Sequence, residues 1–338
     1  MSRFRCSEVF GAGEWADEEA AAAVIGGAGR CSLIAPFLVV RTPGSPGNTA
    51  VQNHIIATFR ALSWHIEEDA FTAQTPQGEK PFRNIIVTKN PDAHRKLVLA
   101  AHFDSKYFAD FEFLGATDSA APCGILVDIA RSLDPLLEKQ TEAALLEGDA
   151  SASTTLQLIF FDGEEAYGLW SATDSLYGSR HLAEKWAATY TAPTAPGAPP
   201  RSVLSQIDAL VLLDLLGAPG TTLFNTQRDT SWMWERIVAI QFRIVKHELA
   251  SSALRATFSG RGPIGYFQEA ALTYYEIEDD HKPFLERGVP IVHAIGNPFP
   301  KVWHTARDNA DAISAETVRD LAVIFRVFVA EYLGLMLY

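Results

Sequence analysis

The chain has 338 residues and is 48% hydrophobic, which is enough to bury the core of one large α/β domain or two ordinary ones. Its 28 basic and 41 acidic side chains give a formal net charge of −13. Because no cluster of Lys and Arg offsets that charge, neither a nucleic acid nor a membrane is expected as a partner. The longest apolar runs, near 156–161 and 209–218, are far shorter than the roughly 20 residues of a membrane-spanning helix.

The first part of the sequence predicts an extension followed by a helix and a hairpin. An Ala- and Glu-rich stretch at 15–25 predicts a short helix, and we expect residues 1–40 to form a helical extension packed on a catalytic domain of residues 41–338. The turn at 43–47 opens a predicted helix at 48–64, whose apolar residues share one face. Alternating strands at 65–74 and 82–90, joined by a turn at 76–78, predict an antiparallel hairpin.

Strands and helices then alternate, which is typical of an α/β fold with a mixed central sheet. The predicted strands are 96–101, 156–161, 207–213 and 289–295, and the predicted helices are 118–133, 135–147, 175–188 and 315–333. The proline-rich segment 190–201 predicts a surface loop. We therefore expect a single globular α/β domain with helices flanking the sheet.

The most informative motif is the junction at which the apolar strand 156–161 runs into Asp162, Gly163, Glu164 and Glu165. Adjacent carboxylates repel one another unless a cation or a shared proton offsets their charge. Turn residues, rather than two acids, usually follow so apolar a strand. The pair Glu164 and Glu165 therefore indicates a site at the carboxyl edge of the sheet.

Other potential metal ligands also follow predicted strands: His102 with Asp104, Asp118, Asp214 and His304. Imidazole and carboxylate together favour Zn²⁺, whereas oxygen ligands alone favour Mg²⁺ or Ca²⁺. Each residue also has an ordinary structural interpretation. A single histidine is more often hydrogen-bonded than metal-bound, Asp118 is as well placed to cap the helix that follows it, and Asp214 could equally cap a turn.

These residues lie in motifs that resemble the zinc aminopeptidases of the M28 type and, more closely, the glutaminyl-peptide cyclotransferase family (glutaminyl cyclases). The resemblance runs from about Arg41 to Tyr332. The motifs that carry it are His102-Phe103-Asp104-Ser105-Lys106, Gly115-Ala116-Thr117-Asp118-Ser119-Ala120, Phe160-Phe161-Asp162-Gly163-Glu164-Glu165-Ala166, Asp174-Ser175-Leu176-Tyr177-Gly178-Ser179-Arg180, Leu213-Asp214-Leu215-Leu216-Gly217-Ala218-Pro219, Asp279-Asp280-His281 and Phe299-Pro300-Lys301-Val302-Trp303-His304-Thr305.

The resemblance implies one Zn²⁺ per chain, held by Asp118, Glu165 and His304, with Glu164 as the catalytic acid and base. It implies that His102 and Asp214, which would hold a second metal in an aminopeptidase, leave that metal unbound. Asp214 and Asp279 are then expected to join the hydrogen-bond network of Glu164. Substrate-binding roles are implied for Trp170, Glu278, His293, Phe299 and Trp303, although the aromatic residues among them could equally pack in the core.

Two departures from the family bear on where the chain acts and on what it recognises. Many secreted relatives have a cysteine at the position of Ala101, bridged to the one matching Cys123, and this chain cannot form that bridge; a bridge between Cys6 and Cys31 remains open. The family often has Gln at the position of Glu278, so recognition of the amine could differ. Localisation stays open, because the resemblance implies the secretory pathway while no signal peptide is recognised at the start of the sequence.

The resemblance thus implies an enzyme that cyclises the N-terminal Gln of peptides or proteins to pyroglutamate and releases ammonia, with N-terminal Glu as a further candidate substrate. A monomer is expected. The alternative is an aminopeptidase with two zinc ions, since the same side chains supply the ligands for both. A third interpretation is a peptide-binding module that has lost turnover, which the survival of every reactive residue disfavours.

Overall fold

The computed structural model describes residues 33–146, 154–191, 199–260, 264–269 and 277–335. The helix predicted at 15–25, both cysteines of the possible Cys6–Cys31 bridge and most of the predicted extension 1–40 lie outside these residues. Within the described part of the chain, no helix is both long enough and apolar enough to span a bilayer.

The described strands are β1 (His65–Thr75), β2 (Gly78–Thr88), β3 (Arg95–His102), β4 (Thr154–Phe161), β5 (Tyr190–Thr191), β6 (Arg201–Ser202), β7 (Ile207–Asp214) and β8 (Ile291–Ile295). Six of them form one mixed sheet, in the spatial order β1-β2-β4-β3-β7-β8. Strands β4, β3, β7 and β8 run parallel, whereas the hairpin β1-β2 lies antiparallel against β4. The two very short strands, β5 and β6, pair at the ends of the predicted proline-rich loop.

Helices cover both faces of the sheet, as the alternation of strands and helices predicts. The described helices are α1 (Pro46–Ala61), α2 (Ala121–Leu146), α3 (Tyr177–Ala188), α4 (Ser231–Lys246), α5 (Ser252–Thr257), α6 (Lys282–Leu285) and α7 (Ala315–Leu333). Helices α1, α2, α4 and α7 pack on one face, where Leu97 and Leu99 of β3 enter the larger core. Helices α3 and α6 pack on the other face, against Val98 and Ala100. The predicted α/β fold class and its strands are confirmed.

Two predictions for the helices are wrong. The helices predicted at 118–133 and 135–147 are one continuous helix, α2, with Pro135 inside it. Because Leu133 and Leu137 are both buried on the same side of that helix, their packing outweighs the roughly 3 kcal/mol that an interior proline costs. The second error is an omission: helix α4 was not predicted, although its apolar residues recur at helical spacing on one buried face.

The parallel strands determine where the site lies. Because β3, β4, β7 and β8 are parallel, their carboxyl ends meet at one edge of the sheet. His102 and Asp214 are the last residues of β3 and β7, and Glu164 and Glu165 follow the end of β4 directly. The loop after β8 carries His304 to the same edge.

Candidate active site

Three predicted ligands, Asp118, Glu165 and His304, meet at this edge, with one potential ligand atom from each within 4.8 Å of the other two. The Nε2 atom of His304 lies 3.2 Å from Oε1 of Glu165 and 3.5 Å from Oδ2 of Asp118. Both carboxylates are buried, whereas His304 is partly exposed. The structure therefore brings together the three residues that the resemblance implies as ligands.

The backbone around Asp118 explains why its carboxylate faces the other potential ligands. Residues Ala116–Ala120 form a π-helical turn in which Asp118 has non-helical φ and ψ angles of −123° and 77°. Helix α2 begins only at Ala121, so the interpretation of Asp118 as the N-cap of the helix is wrong. Its carboxylate instead faces His102 and His304.

Aromatic side chains fix the imidazole of His304. Trp303 stacks on it with ring centroids 3.9 Å apart, and Phe108 and Phe113 approach it edge-on at 5.9 and 5.8 Å. His304 itself has a φ of 53°, a left-handed conformation that costs a non-glycine residue on the order of 1–3 kcal/mol. The surrounding packing holds the ring in this place.

The donor set fits a divalent cation. Oδ2 of Asp118 is buried and has no hydrogen-bond partner among the described residues, which is costly for a carboxylate oxygen unless something else pairs with it. Burial lowers the pKa of His304, but the neighbouring carboxylates of Asp118 and Glu165 raise it by more, to about 9. The site therefore attracts positive charge, and one imidazole nitrogen with two carboxylates is a donor set typical of catalytic zinc.

A second group of potential ligands, His102, Asp118 and Asp214, lies directly behind the first and shares Asp118 with it. Nε2 of His102 lies 3.0 Å from Asp118 and 3.4 Å from Asp214, and Nδ1 lies 3.3 Å from Asp104. Oδ1 of Asp214 also accepts hydrogen bonds from the Ser119 hydroxyl and, at 2.8 Å, from the backbone N–H of Leu215. The ring nitrogens of His102 and the Oδ1 atom of Asp214 thus already have polar partners in the protein.

Glu164 lies beside these ligands in a strongly acidic environment. Burial raises its pKa well above the usual value; the charge of His102 opposes this shift, and the charges of Glu165 and Asp279 add to it. Burial also raises the pKa of Asp214, to about 6, with Asp279 as the next cause. The charge of Asp279 therefore contributes to raising the pKa of both carboxyl groups.

The expected hydrogen-bond network differs in detail. In the described residues, the hydrogen bonds of Asp279 join its carboxylate to His293 at 2.7 Å and to the backbone N–H of Asp280 at 2.6 Å. Those of Asp214 run to Ser119 and Leu215, and Nε2 of His102 lies 3.4 Å away as an ion-pair partner. Among the described residues neither aspartate is hydrogen-bonded to Glu164, and Asp279 acts on the pKa of Glu164 through its charge.

A cavity of about 350 Å³ opens over the three ligands, a volume within the usual range for small-molecule sites. Four of the five predicted substrate-binding residues line it: Trp170, Glu278, Phe299 and Trp303. The fifth, His293, is buried behind the cavity, where it pairs with Asp279 and packs against His281 with ring centroids 4.1 Å apart. The structure thus places His293 near the pocket but not in its wall.

Two side chains hold the acidic residues in place in a way that sequence reasoning did not predict, since it offered Asp104 only as a potential metal ligand and gave Lys106 no role. Asp104 is fully buried, and its two oxygens accept hydrogen bonds from the backbone N–H groups of Glu164 and Glu165 at 3.1 and 3.3 Å. Lys106 lines the cavity and donates to Oε2 of Glu165 at 3.2 Å. Both residues lie in the motif that begins at His102, but their partners follow a different strand, so spacing along the chain gave no signal.

Comparison with known proteins gives a consistent result. The family model for peptidase family M28 matches residues 84–329. A glutaminyl-peptide cyclotransferase of Bos taurus is 46% identical over 305 residues, covering 89% of this chain and 80% of the relative. One of Drosophila melanogaster is 42% identical over 298 residues, covering 88% and 78%. The crystal structure of a Macrostomum lignano glutaminyl cyclase is 38% identical, covers 90% of this chain and 89% of that one, and superposes with a TM-score of 0.77.

Asp308, which sequence analysis also missed, joins the two loops that carry Asp118 and His304. Its carboxylate accepts from the backbone N–H of Thr117 at 2.8 Å and from the Thr117 hydroxyl at 3.0 Å. Its backbone carbonyl accepts from the N–H of Ala116 at 3.1 Å. Because Asp308 is fully buried, these bonds are shielded from water and set the separation of the two ligand-bearing loops.

Replacing Thr117 with Val keeps the shape of the side chain and removes the hydrogen bonds of its hydroxyl to Asp308, whereas the backbone N–H still donates. We expect zinc affinity, measured by competition with a fluorescent chelator, to fall about tenfold, the lower end of the effect of residues that orient metal ligands. Thr117→Ser should restore most of it. Tyr266→Phe is the matched control, since it removes a buried hydroxyl bond to Asp320 that lies away from the cavity. Equal losses of affinity in Thr117→Val and Tyr266→Phe would show that Thr117 acts only on general stability.

Proposed function

The chain belongs to the glutaminyl-peptide cyclotransferases of peptidase family M28, and we propose that it converts the N-terminal Gln of peptides to pyroglutamate with release of ammonia. The observation that carries this proposal is the position of Glu164. Its raised-pKa carboxyl group lies next to Asp118, Glu165 and His304, and all four residues line one aromatic-walled cavity.

We infer that each chain holds one zinc ion, through Asp118, Glu165 and His304. These three residues line the cavity, and the unpartnered Oδ2 of Asp118 lies on their side. In the group formed by His102, Asp118 and Asp214, Asp214 also lines the cavity, but His102 is only 1% exposed and both of its ring nitrogens are hydrogen-bonded, to Asp104 and Asp118. That difference supports one accessible metal position in place of the two of an aminopeptidase.

The reaction needs a polarised amide carbonyl and a base for the attacking amine. When bound, zinc supplies Lewis-acid polarisation of the γ-carboxamide carbonyl. Glu164 accepts a proton from the α-amine as the amine nitrogen forms a bond to the carbonyl carbon of the carboxamide, and it returns that proton to the departing nitrogen as the carbon–nitrogen bond of the carboxamide breaks. The products are pyroglutamate and ammonia, so atoms and protons balance without water.

The raised pKa of Glu164 suits a group that must both accept and donate a proton. A carboxyl group with an ordinary pKa is a weak acid catalyst near neutral pH, because it is almost fully ionised there. The charges of Glu165 and Asp279, together with burial, oppose that ionisation. A cation between the ligands would lower the pKa again, which favours an intermediate value.

The cavity walls support cyclisation over hydrolysis. Phe299 and Trp303 pack edge to face with centroids 5.0 Å apart, and Trp303 also stacks on His304. Together with Trp170, these rings form a rigid apolar wall that would displace water and hold the glutamine side chain folded toward its own amine.

Incubation of the zinc-loaded protein with a short Gln-initiated peptide tests the proposed reaction. We expect stoichiometric ammonia and a peptide lighter by one ammonia, with both lost on chelation and recovered with Zn²⁺. The same peptide with an acetylated α-amine is the control, and it should not react because the amine is the nucleophile. Release of free amino acids would instead indicate the aminopeptidase, and absence of any turnover would indicate a binding module.

Replacing Glu164 with Gln tests the proton-transfer role. Gln preserves the shape of the protonated carboxyl group but cannot shuttle a proton, so kcat should fall by about 10²- to 10⁴-fold. Zinc content, measured by elemental analysis, should stay at one ion per chain. Glu235→Gln, at an exposed position on α4, is the matched control. Normal turnover by Glu164→Gln would remove Glu164 from the mechanism.

A further inference from the structure

The mouth of the cavity carries an ionised side chain that the chemistry does not use. Glu278 lines the cavity, and its side chain is 44% exposed. Hydrogen bonds from Lys282 and then from Trp170 lower the pKa of Glu278, so it is negatively charged at neutral pH.

The partners of Glu278 determine which side of its ion pair faces the cavity. One carboxylate oxygen accepts from the indole N–H of Trp170 at 3.1 Å, and the other pairs with Lys282 at the start of α6. Glu278 and Trp170 line the cavity, whereas Lys282 does not. The negative end of the pair therefore faces the cavity, and the positive end lies behind it.

Apolar surface lies beside this charge. Leu169 and Trp170 also line the cavity, and they are 86% and 40% exposed. A carboxylate next to exposed aliphatic and indole surface suits a long cationic side chain, whose methylene groups pack on apolar atoms while its charged end reaches the carboxylate. The lysine that does line the cavity, Lys106, is 14% exposed and paired with Glu165, so it does not offset the charge of Glu278 at the mouth.

We propose that Glu278, with Leu169 and Trp170, selects peptides in which the N-terminal Gln is followed by Lys or Arg. This inference rests on the proposed function, which places the γ-carboxamide at Asp118, Glu165 and His304 on the cavity floor. The peptide chain must then leave through the mouth, so the second residue is the first to pass Glu278. Glu278 acts as a specificity-determining residue and takes no part in proton transfer.

The test compares two peptides that differ only in charge at the second position, Gln-Lys-Ala-amide and Gln-norleucine-Ala-amide. At low ionic strength we expect kcat/KM for the lysine peptide to be about two- to fivefold higher, the range for one partly exposed charge pair. The preference should shrink at high salt, because salt screens exposed charges. Glu278→Gln should bring the ratio of the two kcat/KM values close to one, since the amide keeps an acceptor for Trp170 but loses the charge.

Two further variants separate this effect from general changes in charge. Glu68→Gln is the matched control: it removes the same charge from an exposed carboxylate that pairs with Arg83 on the hairpin, and it should leave the ratio unchanged. Lys282→Met removes the cation behind Glu278 and should increase the ratio. A ratio that is the same in the wild type and Glu278→Gln overturns the inference, whereas failure of the wild type to convert either peptide overturns the proposed function.

Discussion

The repulsion among buried carboxylates at one edge of the sheet is the constraint on which the rest of this structure depends. Asp118, Glu164, Glu165 and Asp214 are each less than 10% exposed, and the parallel strands bring them together. Burial of like charges at such short range destabilises a protein unless protons or cations offset it. Three features offset this repulsion: the imidazoles of His102 and His304, the raised pKa of Glu164, and the proposed zinc ion.

This constraint also explains why buried side chains form hydrogen bonds to the loops that carry the carboxylates. Arg41 is fully buried, and its guanidinium donates to carbonyls in the segment that leads to Asp118, including those of Phe103 at 2.5 Å and Gly115 at 3.0 Å. Asp104 holds the turn that carries Glu164 and Glu165, and Asp308 joins the loops on either side of the metal position. Because these hydrogen bonds are buried, they hold the carboxylates in fixed positions.

Sequence alone predicted the strands and the residues at their ends, because hydrophobic runs that stop at acidic residues are local features of the chain. It therefore placed Asp118, Glu165 and His304 together, with the help of motifs shared across a family. It did not find Asp308 or Arg41, whose roles depend on loops that meet only in the folded chain. It also divided α2 at Pro135, because the burial of Leu133 and Leu137 that sustains the helix is a property of tertiary packing.

Zinc-edge anomalous diffraction from crystals grown with excess Zn²⁺ would locate the metal and count the ions in each chain. We expect one strong anomalous peak per chain, in contact with carboxylate oxygens of Asp118 and Glu165 and with Nε2 of His304, while His102 keeps its ion pair with Asp214. Two peaks of similar occupancy bridged by Asp118, or a single peak bound by His102 and Asp214, would contradict it.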